Sequence, residues 1–197
     1  MTEGTFMNRE TTKKIVTTAL LAAIAVLLGA THWGFIPWIG GVSLTILQIP
    51  AIIAAILEGP LSGAIVGLIF GIFSMIQAAV APSGPTDAWF TNPILSVLPR
   101  IFIGPAAWGM YQVLKRWKSA ALVVAGAVGS LTNTVLVLLV VGLMGYLPWD
   151  VLAGIATANG LPEMVASALI TLAVVGAYWQ IPGRKKGSDL TDKKSGS

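Results

Sequence analysis

The sequence predicts an all-α membrane protein, a bundle of six transmembrane helices with its N- and C-termini in the cytoplasm. Three observations predict it: an apolar composition, long apolar runs separated by short polar breaks, and basic residues confined to one set of breaks. Of 197 residues, 55% are hydrophobic and only 10% are charged, and the mean hydropathy is +0.83. A water-soluble globule of this size needs more polar surface than that.

The apolar runs cover Ile15 to Thr31, Leu44 to Leu57, Leu61 to Val80, Ile94 to Leu114, Ser119 to Leu143 and Pro162 to Ile181. Most approach the roughly 20 residues that cross a hydrocarbon core. The first run follows Arg9, Lys13 and Lys14 as a signal peptide would, but no small-residue cleavage site occurs near Ala30 to Gly34, so it reads as a retained helix. The second is the shortest, and Pro50 interrupts it. A kink, an extension through Gly40-Gly41, or shielding from lipid by neighbouring helices would each accommodate it. The breaks at Glu58-Gly59-Pro60, Ala81 to Pro93, Lys115 to Lys118 and Met144 to Leu161 carry helix-ending residues. The organisation is therefore a cytoplasmic segment 1–14, a membrane domain 15–181, and a polar tail 182–197 expected to be disordered in the cytoplasm.

With the N-terminus inside, Arg9, Lys13, Lys14, Lys115, Arg116, Lys118, Arg184, Lys185 and Lys186 all face the cytoplasm, and the opposite loops hold no Lys or Arg. That distribution explains the net charge of +4 as membrane orientation and excludes a nucleic-acid surface. Trp33, Trp38, Trp89 and Trp149 fall near the outer boundary, Trp117 and Trp179 near the inner one, as interfacial anchors do.

Polar residues within the spans gather toward the outside. Thr31 and His32 close the first span. Thr45 and Gln48 lie one helical turn apart at the start of the second, and Ser74 and Gln77 repeat that spacing near the end of the third. Asn92 and Ser96 flank the start of the fourth, Asn159 and Glu163 that of the sixth, and Asn133 sits in the middle of the fifth. Together they outline an outward-facing polar cavity. Arg100 lies about two turns into the fourth span, roughly 10 Å deep. A guanidinium at that depth needs a partner and marks a functional site. The partner is either Glu163, in an ion pair between helices, or a ligand anion held bidentately. The second alternative is favoured by the position of Glu163 after Pro162, where a helix N-terminus already stabilises a carboxylate. Gln48, Gln77 and Asn133 suit either ligand binding or interhelical hydrogen bonding. Small residues recur at Ala19 and Ala23, and at Gly63, Gly67 and Gly71, spacings that allow close helix approach within the chain or to another membrane subunit.

Several chemistries are excluded. There is no cysteine for a disulfide or thiolate, and His32 is the single histidine, which rules out a multi-histidine metal site. No phosphate-binding GxxxxGK[ST] loop occurs, the cytoplasmic connections are too short for a nucleotide-binding domain, and no nucleophile, acid and base set is present. The chain reads as neither an ATPase nor an enzyme, and it implies no cofactor.

The segments GGVSLTILQIPAIIAAILEGPLSGAIVGLIFGIFS (40–74), LPRIFIG (98–104) and GSLTNTVLVL (129–138) resemble the S components of energy-coupling factor (ECF) transporters. The likeness runs from Thr12 to Ile181 and is strongest to the pantothenate-specific branch. The resemblance implies a six-helix vitamin-binding subunit of the plasma membrane that joins a transmembrane T component and two cytoplasmic ATPases in an ABC importer. It implies that Ala19 and Ala23 face the T component, that the vitamin binds near the outer face, and that the subunit topples to release it inside. On this basis Arg100 would hold the pantothenate carboxylate, with Asn133, Gln48 and Gln77 serving its neutral groups and Thr45, Ser74, Trp89, Asn92 and Glu163 completing the site. The loop 81–93 departs from the branch pattern, which leaves hydroxymethylpyrimidine, a pyridoxine-like vitamin or folate as alternative cargoes. A membrane scaffold without a transported ligand is the competing class.

Overall fold

An amide or carbonyl in hydrocarbon has no water to bond, so an apolar chain satisfies its backbone within helices. The computed structural model of the protein, which describes residues 9–37, 43–82 and 85–180, follows that rule. Five stretches are long and apolar enough to cross a bilayer. They are α1 (Arg9–Ala30), α3 (Pro60–Val80), the pair α4 (Pro93–Ser96) and α5 (Leu98–Leu114), α6 (Lys118–Leu143), and a last stretch of α7 (Trp149–Ile155), a π-helical segment (Ala156–Gly160) and α8 (Leu161–Gln180). A further helix, α2 (Ile49–Glu58), has 10 residues. A small antiparallel ribbon joins α1 to α2, pairing β1 (Phe35–Pro37) with β2 (Ser43–Thr45). A 3₁₀ segment (Pro85–Thr91) leads into α4. Trp38, Gly40-Gly41, Arg184, Lys185, Lys186 and the tail 182–197 lie outside the described residues.

The second predicted span takes a different form. Leu44 and Thr45 belong to the ribbon, and the helix starts at Ile49. Pro50 does not interrupt it; it occupies the first turn, where its missing N–H would have had no intrahelical acceptor. At about 1.5 Å per residue α2 is ~15 Å long, half the thickness of a hydrocarbon core. It survives because it never meets lipid: every residue from Ile49 to Ile56 is buried, and α2 touches α1, α3, α5, α6 and α8. Shielding by neighbours is thus the accommodation the fold uses. The corner from α2 to α3 turns on Gly59, whose φ of 104° favours glycine.

The glycine stripe of α3 packs within the chain. A Cβ built on Gly63 would lie 2.8 Å from the Gly104 Cα, one on Gly67 would strike the Arg100 carbonyl oxygen, and one on Gly71 would lie 2.8 Å from the Ser96 carbonyl oxygen. As the α3 number rises the α5 partner falls, so the two helices run antiparallel with their backbones in contact. The Ser96 hydroxyl reinforces the join by donating to the Gly71 carbonyl at 3.2 Å.

Two further departures bear on the site. The fourth span is divided at Val97, because Pro99 carries no N–H to donate to the Leu95 carbonyl. Met144 to Leu161, predicted as a break, contains α7 and the π-helical segment, so the last span begins at Trp149 and runs continuously into α8.

The close α3–α5 approach makes a direct prediction. Gly67→Ala should lower stability by about 1–3 kcal/mol, the usual cost of overpacking, because the obstructing atom is backbone. Gly109→Ala, where a Cβ meets nothing within 4 Å, should be neutral or mildly stabilising. Thermal unfolding of the two variants in detergent compares them.

Candidate functional site

At the ribbon end of the bundle, polar side chains of β2, α6 and α8 meet Gln48, the residue before α2. The Glu163 carboxylate is their hub. Its Oε1 accepts the Thr45 backbone N–H at 2.7 Å and the Thr45 hydroxyl at 2.9 Å, and its Oε2 accepts the Thr134 hydroxyl at 3.4 Å. One turn deeper on α8, Ser167 is fully buried, as is Gln48 beside it. The Gln48 amide donates to Ser130 Oγ at 3.2 Å and Ser167 Oγ at 3.4 Å, and its Oε1 lies 3.5 Å from the Thr45 hydroxyl oxygen. Glu163 and Ser167 are four residues apart and therefore share a face of α8, as Ser130 and Thr134 do on α6. Gly160 lets α8 approach there: a Cβ on it would sit 3.2 Å from the Thr134 methyl.

Arg100 forms the second polar group, between α3 and α5. Only 5% of it is exposed. Its Nη1 donates to the Leu95 carbonyl, the acceptor that Pro99 leaves without a helical donor. Its Cζ lies over two rings, 5.0 Å from the Phe90 centroid and 5.6 Å from that of Phe70. Its Nε faces no acceptor among the described residues. The Arg100–Glu163 ion pair that the sequence left open is not formed, since Glu163 is held by Thr45 and Thr134. Nor does Glu163 stand at a free helix N-terminus, because the π-helical segment precedes α8. A guanidinium buried without a carboxylate from the described residues is costly, and an anion at its unsatisfied edge would relieve that cost.

Asn133 lies between the two groups. It is 7% exposed, and its Oδ1 meets no donor among the described residues. Three residues before it on the same α6 face is Ser130, which bonds Gln48; four after it is Val137, which packs against the cluster of Leu95, Val141 and Leu152 that Phe90 also meets. The arrangement offers a cation on one side, an open amide in the middle, and a hydroxyl and carboxylate network on the other. It suits an elongated polar molecule with one anionic end.

The remaining predicted residues sit around this centre. The Gln77 amide donates to the Gly29 carbonyl at 3.4 Å and so joins α3 to α1. Asn92 caps α4, its Oδ1 accepting the Ile94 N–H at 2.9 Å. Ser74 is half-buried on α3. Trp89 stacks on Tyr146, centroids 5.0 Å apart. Sequence reasoning missed Ser130, Thr134, Ser167, Phe70 and Phe90. A single polar stripe on an otherwise apolar helix would have revealed the first three, whereas no pattern marks the two rings. A separate groove of about 620 Å³ between α5 and α6, lined by Phe102, Pro105, Val128 and Leu136 among others, is apolar and holds none of the predicted site residues.

The family described as the substrate-specific component of ECF transporters matches residues 13–175. A pantothenic acid transporter, PanT, of Lactococcus lactis subsp. cremoris is 28% identical over 191 residues, covering 87% of this chain and 96% of the relative. A pantothenate transporter, PanT, of Leuconostoc mesenteroides subsp. mesenteroides is 29% identical over 191 residues, covering 85% and 93%. With its several apolar helices of spanning length, the chain is a multi-pass protein of the plasma membrane, and it belongs to the family of ECF transporter substrate-specific components.

Proposed function

We propose that this chain captures pantothenate outside the cell for an energy-coupled importer, with Arg100 receiving the vitamin's carboxylate. The observation that carries the proposal is the buried Arg100 guanidinium, which has a carbonyl and two rings as neighbours but no carboxylate among the described residues. The relatives named for pantothenate transport point to a ligand with the matching charge. Pantothenate is also elongated, with an amide and two hydroxyls beyond the carboxylate. Asn133 is placed to bond the amide, while Thr45, Gln48 and Glu163 offer donors and acceptors to the hydroxyls. Ser74, Gln77, Trp89 and Asn92 form the surrounding wall.

In this reading the membrane domain 15–181 makes six crossings with α2 as the shielded one. Both termini are cytoplasmic, in keeping with the basic residues Arg9, Lys13, Lys14, Lys115, Arg116 and Lys118 at one end. A T component and two cytoplasmic ATPases supply the coupling to ATP. Ala19 and Ala23 are exposed on α1 beside the exposed side chains of Val16, Leu20 and Leu27. That small-residue face is where a helix of the T component would pack.

Titration of the purified protein with a panel of water-soluble vitamins tests the cargo: pantothenate should bind, and hydroxymethylpyrimidine, pyridoxine and folate should not. Preference for one of those three would overturn the assignment. Arg100→Ala should weaken pantothenate binding by about 2–5 kcal/mol, the range for truncating one partner of a buried charge pair. Unchanged affinity in a folded variant would return Arg100 to a structural role. In a second experiment, Ala19→Leu combined with Ala23→Leu should abolish co-purification with the T component while vitamin binding persists; retained association would move the docking face elsewhere.

A further inference from the structure

The two rings over Arg100 come from different parts of the chain. Phe70 belongs to α3, three residues beyond Gly67, and is 4% exposed. Phe90 is delivered by the 3₁₀ segment Pro85–Thr91. Its neighbour Trp89 stacks on Tyr146, which follows α6, with the ring planes 9° apart. Both Trp89 and Phe90 also pack against the apolar cluster of Leu95, Val141 and Leu152. The Phe90 ring is therefore held in part by an apolar cluster that does not involve Arg100.

We propose that Phe90 is a positioning residue that makes the site selective for a carboxylate, acting through Arg100. The proposal rests on the reading that Arg100 receives the ligand's carboxylate. A guanidinium anchored at Nη1 alone can still swing about that hydrogen bond and take up water. The guanidinium carbon lies over the face of the Phe90 ring, 5.0 Å from its centroid. Cation–π attraction holds the guanidinium there, and the ring keeps water from that side of it. The Nε edge, which has no acceptor among the described residues, is left facing outward from the Leu95 bond in a fixed direction. An ion pair formed in such a water-poor setting is stronger than one in water, and a planar fork held still loses less freedom on forming two parallel bonds. A neutral hydroxyl gains little from either effect. Phe90 should therefore matter for an anionic ligand and hardly at all for a neutral one of the same shape.

Pantothenol, in which a hydroxymethyl group replaces the carboxylate of pantothenate, separates the two cases. The measurement is the ratio of pantothenol Kd to pantothenate Kd in the full chain, in detergent at fixed salt. It is made for the unaltered protein and for Phe90→Leu, Phe90→Met and Phe90→Trp. Phe90→Met keeps a flexible apolar filler in the event that Phe90→Leu does not fold. The ratio should fall about 3- to 30-fold in the Leu and Met variants, the range a desolvated cation–π contact supports, and should recover in Phe90→Trp. A ratio near one in the unaltered protein would overturn the Arg100 reading beneath the proposal. A clear preference for pantothenate that survives unchanged in Phe90→Leu or Phe90→Met would overturn the role of Phe90 alone. Equal weakening of both ligands would do the same, because it marks a general packing role.

Discussion

The backbone leading into α2 has to satisfy its hydrogen bonds among other helices, because α2 is too short to carry the chain across the bilayer by itself. The Thr45 N–H, at the end of the ribbon, is bonded by the Glu163 carboxylate from α8. Gln48, which precedes the helix, bonds hydroxyls of α6 and α8. Irregular backbone at membrane depth is tolerated where protein surrounds it or where it lines a cavity. Here the same groups that satisfy the chain form a polar lining. A full-length second helix would have been apolar throughout and would have left no reason for Glu163, Ser130 or Ser167 to be buried.

Arg100 depends on a second chain of causes, in which small and cyclic residues do the positioning. Gly63, Gly67 and Gly71 let α3 and α5 touch backbone to backbone, which brings Phe70 beside the guanidinium. Pro99 withholds an N–H from α4, and the carbonyl so released takes the Nη1 of the next residue. The charge is thus solvated by one carbonyl and two rings, enough to hold it in place but not to neutralise it. On the proposed reading an anionic ligand would complete the environment, a physical basis for affinity that needs no carboxylate from the described residues.

Much of this was legible in the sequence. Arg100 stood out because a charge inside an apolar run is expensive wherever it points. The glycine stripe could be read as a packing face, and it is one within the chain. Thr45, Gln48 and Glu163 were grouped by depth, and contacts among their side chains do join them. Other readings failed for local reasons. Pro50 looked like an interruption because its position within the helix depends on where the helix begins, and the preceding ribbon decides that. Glu163 looked like a helix-terminal residue because Gly160-Leu161-Pro162 resembles a stop, whereas a π-helical segment carries the helix through it. The helix-joining bonds of Asn92 and Gln77, one capping α4 and the other reaching α1, carried no mark in the sequence.

By itself the sequence determined that the chain lives in a membrane, where its long spans run, and which buried charge most needs explaining. Those properties follow from transfer free energies and helix length, which are sums over local residues. Only the tertiary structure decided what Arg100 and Glu163 bond to, that α2 is shielded on all sides, and that Phe70 and Phe90 flank the guanidinium. Partner choice depends on which helix faces meet at which register, and an apolar ring in an apolar span carries no mark of the charge it will cover.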